Sequence, residues 1–258
     1  MRVAVSGAAG RMGRLVVKNA VLEGLEVVQA FDINEVGKDA GELAGVGKIG
    51  VPIQDDISKL DADVLIDFTT AEAAIKNVEI AAEKGVRVVM GTTGFTEEER
   101  KRLAELAEKV PMIISPNFSL GVNVFWKIVE YAASMLYEWD AEIVEIHHRH
   151  KRDSPSGTAL KIAEIIRKVK GKKGLEAELK TCREGISPRE NEIGVFGVRG
   201  GDVVGEHTVY FLGSGERIEL THRAMSRECF AMGAVKAAKW IASVDKPGLY
   251  TMDDFLGL

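Results

Sequence analysis

A chain of 258 residues with 46% hydrophobic content can bury a full core, and its length fits one large domain or two moderate ones. Its 34 Lys and Arg stand against 39 Asp and Glu, a net charge of -5 spread along the chain, which excludes a global basic field for nucleic acid or an anionic membrane. The two cysteines, Cys182 and Cys229, lie far apart in no metal-type spacing, so the expectation is a reducing, cytoplasmic setting without a disulfide framework.

Strand-like sequence begins at Arg2, leaving no room for an export leader, and no uncharged run is long enough to span a bilayer. The protein is therefore expected to be neither exported nor membrane-anchored. The apolar runs Val3–Ser6, Glu26–Phe31, Asp63–Asp67, Val86–Met90 and Met112–Ser115 read as buried strands. Between them, Arg11 to Leu22, Ala71 to Lys84 and Thr96 to Glu108 carry apolar residues at helical spacing. Thr69-x-x-Glu72 and Thr96-x-x-Glu99 both fit a capping box, in which hydroxyl and carboxylate satisfy open backbone donors reciprocally. Strands alternating with helices require right-handed crossovers. Residues 1–118 are thus expected to form an α/β unit, a doubly wound parallel sheet.

The pattern changes after Asn117. A long helix, Gly121 to Leu136, precedes a strand, Glu142 to His148, a polar loop, and an amphipathic helix from Gly157 to Lys170 that Gly171-Lys-Lys-Gly174 breaks. Leu175–Arg183, Ile193–Val198, Val203–Leu212 and Glu216–Thr221 then read as successive strands joined by Gly-rich turns. Residues 119–227 are expected to be a second, α+β domain built on an antiparallel or mixed sheet. Glu228 to Ser243 is helical and should return to the first domain, making 1–118 with 228–258 the dinucleotide-binding domain. Asn117-Phe118 and the neighbourhood of Arg227-Glu228 are the expected hinges.

Gly7-Ala8-Ala9-Gly10-Arg11-Met12-Gly13 follows a strand and opens a helix, the context in which glycines let a backbone approach a pyrophosphate that the helix start then stabilises. Ala8 stands where the fingerprint has its first Gly, so a turn made purely for packing is the competing reading. Asp32, ending the second strand, is placed to accept hydrogen bonds from ribose hydroxyls. With Ile33 and Asn34 rather than a cation after it, Asp32 disfavours a 2′-phosphate, and NADH is slightly favoured over NADPH, although Arg11 or Lys38 could offset this. Two more loops lie at carboxyl ends of strands and suit cofactor contacts: Gly91, Thr92, Thr93 and Gly94, and Ser115, Pro116, Asn117 and Phe118. Each could instead simply turn the chain.

The densest polar stretch runs from His147 to Thr158 and holds three of the five histidines with Arg149, Lys151 and Arg152. If the strand stays extended, His147 and Lys151 share one face and His148 and His150 the other. Ser154-Pro155 reads as an N-cap and first helical residue, leaving donors near Gly157 and Thr158 to hold a carboxylate. A metal site through His148 and His150 lacks acidic or Cys partners at convincing spacing, so no metal is expected. A surface basic patch explains single residues such as Arg149. A catalytic proton donor beside a carboxylate clamp explains the ensemble.

Together, Gly7 to Gly13, Gly91-Thr-Thr-Gly94, His147-His-Arg-His-Lys151, Ser156-Gly-Thr158, Gly205-Glu-His207 and Thr221-His222 resemble the dihydrodipicolinate reductase family over essentially the whole chain. The resemblance implies a Rossmann-like first domain and a second α+β domain (119–227) whose open mixed sheet serves substrate binding and oligomerisation into a homotetramer. It also implies NAD(P)H-dependent reduction of 4-hydroxy-tetrahydrodipicolinate in lysine and diaminopimelate biosynthesis. It carries His147 to the proton donor and Lys151 to a second essential cation. His148, Gly157 and Thr158 fall on substrate contacts, and Gly7 to Met12, Asp32, Gly91 to Thr93 and Ser115 to Phe118 on cofactor contacts. The family commonly has small residues where Ser115-Pro116 stand, and some members carry Arg at the position of Ile33. The implied substrate is a small dicarboxylate, which accounts for local positive charge on an acidic protein. A dehydrogenase acting on aspartate or its semialdehyde would not need His147-His148, Lys151 and Ser156-Gly-Thr158 together. A nucleotide-sensing regulator would lack the proton donor and the clamp.

Overall fold

The structure is a computed structural model that describes residues 1–186 and 188–258. In chain order the first elements are β1 (Arg2–Ser6), α1 (Arg11–Leu22), β2 (Glu26–Phe31), α2 (Ala40–Ala44), β3 (Ile53–Gln54), β4 (Val64–Asp67), α3 (Ala71–Glu83), β5 (Arg87–Met90), α4 (Glu97–Ala107) and β6 (Pro111–Ile114). Next come α5 (Leu120–Met135), β7 (Asp140–His147), α6 (Gly157–Lys172), β8 (Glu178–Lys180), β9 (Glu192–Arg199), β10 (Gly205–Leu212) and β11 (Arg217–Ala224). The chain ends with α7 (Glu228–Ile241), β12 (Gly248–Tyr250) and α8 (Met252–Leu256). It divides into two compact units, Met1–Leu120 with Arg227–Leu258, and Gly121–Ser226.

The first unit is a parallel sheet in the order β12-β6-β5-β4-β1-β2-β3. Strand order reverses between β1 and β4, the switch point at which such sheets bind ligands. Both faces are covered, which is why the central strands are unbroken apolar runs. Val3 and Val5 enter one core with Val16, Val17, Ala234 and Val235, whereas Ala4 and Leu65 enter the other with Val78, Leu103 and Met112. α7 presses so closely that a Cβ on Gly233 would stand 1.8 Å from the Phe118 carbonyl oxygen. β3 and β12 were not visible in the sequence because two and three residues carry no periodicity.

One capping box forms as expected: the Thr96 N–H donates to Glu99 Oε2 at 2.7 Å and the Glu99 N–H to Thr96 Oγ1 at 3.2 Å. The other does not. Thr70 caps α3, accepting from Ala73 N–H at 3.4 Å, because the Thr69 hydroxyl is drawn to Asp67 Oδ1 at 2.8 Å.

The second unit carries a mixed sheet in the order β11-β10-β7-β9-β8. β7 runs antiparallel to β10 and parallel to β9. Burial alternates along β7, so the parity that sends Ala141 and Ile143 into a core with Val129, Ile162 and Ile166 also buries Glu145 and His147. The expected strand Leu175–Arg183 contracts to β8.

Candidate active site

In the first unit, β1 runs into a turn at Gly7, whose φ of +77° is a left-handed conformation that glycine adopts without strain. A Cβ on Gly7 would lie 2.5 Å from the Phe68 carbonyl oxygen, and one on Gly13 2.0 Å from the Gly7 carbonyl oxygen. The turn is therefore built of glycine at both ends of the motif. Gly10 is the N-cap of α1, has no side chain to offer the helix, and the first turn carries no acidic residue. The positive end of the helix is left for an anion.

Asp32 closes this loop. Its Oδ2 accepts from Ala9 N–H at 3.0 Å, and its Oδ1 from Asn34 N–H at 2.9 Å. Beyond it, Glu35 adopts a φ of +58° and pairs with both Lys38 and Arg14. Lys38 lowers the Glu35 carboxyl below its usual range.

Sequence reasoning missed Asp67, which ends β4 and is fully buried. It accepts from Asn77 Nδ2 at 2.7 Å, Thr69 N–H at 3.1 Å, Thr69 Oγ1 at 2.8 Å and Thr92 Oγ1 at 2.9 Å. Burial raises its pKa, and these donors oppose the rise. Asp67 thereby ties the loop after β4 to the loop after β5. Its signal was an acid inside an otherwise apolar run, Asp63-Val-Leu-Ile-Asp67.

The remaining first-unit residues fall into two groups. Gly10, Arg11, Thr93 and Pro116 are exposed, with Gly7, Ala9, Met12, Asp32, Gly91 and Asn117 half-buried. Ala8, Thr92, Ser115 and Phe118 are buried. The Ser115 hydroxyl donates to the Asn117 carbonyl at 2.8 Å, and the Phe118 ring packs edge-on to Phe68 with centroids 6.1 Å apart. A Cβ on Gly91 would be 2.1 Å from that Phe68 ring. The side chains of Thr92, Ser115 and Phe118 thus shape the loops, and any cofactor contact from these three is through backbone.

In the second unit, β7 ends at His147, earlier than expected. The chain turns there, with Lys151 N–H donating to His148 O at 3.0 Å, so strand parity does not set the place of Lys151. Its Nζ binds both Asp153 oxygens, at 2.8 and 3.0 Å. His148 is half-buried; Arg149, His150 and Arg152 are exposed. The cap of α6 is Ser156 rather than Ser154: its hydroxyl accepts from Ala159 N–H at 3.2 Å. Gly157 is exposed at the first helical position, where a Cβ would meet nothing within 4 Å, so packing within the chain does not demand glycine. Thr158 is half-buried beside it.

His147 is 8% exposed, and its Nδ1 lies 2.5 Å from Oε2 of the fully buried Glu145. Arg199 of β9 grips Glu145 with Nη1 to Oε2 at 2.8 Å and Nη2 to Oε1 at 2.7 Å, while Ser156 N–H donates to Oε1 at 2.9 Å. Burial would raise the Glu145 pKa, but His147, Arg199 and the Ser156 N–H outweigh it and hold the carboxyl down to about 2. Glu145 is therefore ionised and can only accept, so the contact calls for the proton on His147 Nδ1 and leaves Nε2 turned away from the carboxylate. Facing it from β10, His207 hydrogen-bonds through Nε2 to the Ser156 hydroxyl at 3.0 Å, its ring 5.2 Å from that of His147. Burial, then the neighbouring His147, push His207 down to about 3, so it is a neutral ring. Glu145, Arg199, Ser156 and His207 all escaped the sequence reading of roles, although Ser156 and His207 lie within quoted motifs and Glu145 two residues before one.

The chain as a whole is similar to known proteins. The family described as Dihydrodipicolinate reductase, N-terminus, matches residues 1–118, and Dihydrodipicolinate reductase, C-terminus, matches residues 121–256. A 4-hydroxy-tetrahydrodipicolinate reductase of Archaeoglobus fulgidus is 90% identical over 256 residues, covering 99% of this chain and 100% of that protein. One from Methanosarcina acetivorans is 51% identical over 267 residues, covering 100% of both chains. Among solved structures, dipicolinate-bound dihydrodipicolinate reductase from Paenisporosarcina sp. TG-14 aligns with a TM-score of 0.77 and 27% identity, covering 97% of each chain. The chain therefore belongs to the dihydrodipicolinate reductase family.

Proposed function

We propose that this protein reduces 4-hydroxy-tetrahydrodipicolinate to tetrahydrodipicolinate with loss of water, using NADH or NADPH, in lysine and diaminopimelate biosynthesis. The observation that carries the reading is a buried histidine, His147, whose Nδ1 is pinned by Glu145, the carboxylate that also accepts from the backbone N–H of Ser156, the N-cap of α6.

The first unit fits a nicotinamide dinucleotide. The Gly7 turn leaves backbone where a side chain would collide, Gly10 opens α1 without an acid in its first turn, and Asp32 is held by Ala9 N–H at the end of β2. Residues Gly7 to Met12 would cradle the pyrophosphate, Asp32 the adenosine ribose, and Gly91 to Thr93 with Ser115 to Phe118 the nicotinamide end. When bound, the cofactor supplies a hydride. NADH is the favoured form, since Asp32 repels a 2′-phosphate and Glu35 already engages Lys38 and Arg14. Steady-state kinetics with both cofactors test this, and a large NADPH advantage would overturn it.

The second unit binds the dicarboxylate. Lys151, His148 and the helix start at Gly157-Thr158 hold carboxylates, and Ser156 is committed to capping and to His207. Elimination of water from the ring gives a conjugated imine; as the hydride adds at ring C4, His147 Nε2 delivers a proton at C3, so one carbon–carbon double bond becomes single. Lys151 steadies the charge that develops.

A homotetramer is the proposed assembly. Its support is the edge strand β11, exposed or half-buried along its length and carrying the exposed Ile218, an edge that calls for cover. Sedimentation giving a monomer at working concentration would refute it. Cytoplasmic location is likewise proposed; among the described residues no helix is long and apolar enough to cross a membrane.

The deciding experiment follows NAD(P)H oxidation with substrate freshly generated by the synthase that makes it. His147→Ala should lower kcat about 10²-fold or more, the scale of a lost general acid, with NADH binding intact. No cofactor-dependent turnover by the wild type would overturn the assignment.

A further inference from the structure

Glu145 is fully buried, and both its oxygens are doubly engaged: Oε1 by Ser156 N–H and Arg199 Nη2, Oε2 by Arg199 Nη1 and His147 Nδ1. Arg199 is itself fixed. Its Nη1 also donates to Val198 O at 2.8 Å and its Nη2 to Asp153 O at 2.5 Å. Room for the fork exists because Gly197 has no side chain; a Cβ there would stand 2.3 Å from Ser154 Oγ and 2.9 Å from Glu145 Oε1. Arg199 Nε, by contrast, is buried without an acceptor among the described residues, a cost that a packing role leaves unexplained.

We propose that Glu145 and Arg199 act as a charge-balanced positioning pair for the proton donor His147. Glu145 keeps a proton on Nδ1 and so aims Nε2 at the reacting atom. Arg199 cancels the carboxylate's charge, so that the imidazolium gives up its Nε2 proton during turnover instead of being held as a permanent cation. An unbalanced carboxylate against the ring would favour the charged form by Coulomb attraction. A neutral pair keeps the directional acceptor and removes that bias. Other groups facing the ring leave this balance in place: Lys151 and Asp153 pair with each other, while His207 on β10 and His222 beyond it on β11 are both pushed toward the neutral form by burial. The proton delivered to carbon is replaced from solvent, restoring the imidazolium. The inference rests on the assignment of His147 as donor under the reductase reading.

The test is kcat/KM against pH for wild type, Glu145→Gln, Arg199→Met, Arg199→Lys and the Glu145→Gln/Arg199→Met double variant, with circular dichroism confirming each fold. Expected is an alkaline limb displaced to lower pH in Glu145→Gln and to higher pH in Arg199→Met, each by about one pH unit. Arg199→Lys, which keeps the charge, leaves the limb in place, and the double variant returns toward it at reduced kcat. Equal loss of kcat/KM at every pH in both single variants, with the limb unmoved, overturns the proposal. Nitrogen-15 NMR of the imidazoles in the wild-type protein tests the pair even where a variant fails to fold: the tautomer judges Glu145, and a His147 ring doubly protonated at every pH at which the enzyme is active would overturn the charge balance by Arg199. A neutral His147 ring protonated at Nδ1 supports the pair, and one protonated at Nε2 rejects it. Absent wild-type turnover would instead remove the reductase reading and leave the tautomer measurement to judge Glu145.

Discussion

Gly205 at the start of β10 stands directly against His147: a Cβ there would lie 2.9 Å from Nε2. The contact is tighter than side chains tolerate, and the ring cannot swing away freely while Nδ1 is held by Glu145 at 2.5 Å. Gly205→Ala should therefore displace the donor nitrogen and lower kcat by about 10²-fold, the scale of a 1 Å misplacement. KM for NADH should be unchanged, because the substitution lies in the second unit. Full retention of kcat in a folded Gly205→Ala enzyme would show that Nε2 needs no such clearance.

At Gly157 the expectation runs the other way for stability. A Cβ meets nothing within 4 Å and φ is not left-handed, so Gly157→Ala should leave the protein as stable as before or raise stability by about 0.5–1 kcal/mol through the unfolded chain. KM for the dicarboxylate should rise all the same, since the methyl group occupies the approach to the first turn of α6. Urea melts and KM measured on the same preparation separate the two effects. An unchanged KM would take Gly157 out of the carboxylate clamp.

Much of the fold was legible because its determinants are local. β2 and α1 were read with the bounds they have, since unbroken apolar runs and 3.6-residue spacing are properties of neighbouring residues. Roles that depend on distant partners were not. Thr69 looks like a helix cap until Asp67 competes for its hydroxyl, and Ser154-Pro155 looks like a helix start, yet Ser156 is the N-cap and Gly157 the first helical residue. The His147 to Thr158 stretch announced a site. Its organisation comes from Glu145 one strand period back and from Arg199 and His207 on neighbouring strands, partners that only sheet pairing brings together.

Asp67 offers a third test. Replacing it with Asn keeps the volume but points an amide donor at some of the groups that now donate to Asp67, among them Asn77 Nδ2 and the Thr69 and Thr92 hydroxyls. A buried donor left without an acceptor costs about 1–3 kcal/mol, so Asp67→Asn should lower stability by that amount. The loops it ties carry Thr69 and Gly91 to Thr93, and KM for NADH should rise about tenfold as they loosen, a loss of about 1.4 kcal/mol. Fluorescence titration with NADH checks it. Unaltered cofactor affinity would confine Asp67 to a packing role.

Acid should act first on the second unit. His207 is held down to about 3 by burial and by His147, so below its ordinary value of 6.5 the unfolded chain takes up a proton that the folded chain refuses. Its contribution is complete above about 6.5 and is lost as pH falls toward 3. Glu145, held down to about 2 by His147, Arg199 and Ser156 N–H against the opposing effect of burial, has the same sign: its contribution is complete above 4.5 and lost as pH falls toward 2. A tenfold difference in proton affinity between the folded and unfolded chain is worth about 1.4 kcal/mol, so together these groups withdraw several kcal/mol in acid. In the first unit Asp67, raised by burial, works in the opposite direction, while Asp39, which burial would raise but backbone N–H donors hold down, and Glu35, lowered by Lys38, share the sign of Glu145. Carboxyls act only in the carboxylate range, so the fall that begins near pH 6.5 belongs to the second unit through His207. Trp126 and Trp139 report the second unit and Trp240 the first, so urea melts of Trp240→Phe against those of the Trp126→Phe/Trp139→Phe variant resolve them. The second unit's midpoint should begin to fall below about pH 6.5, before the first unit's; a midpoint that is flat between pH 7 and 4 would mean that His207 does take up a proton in the folded protein.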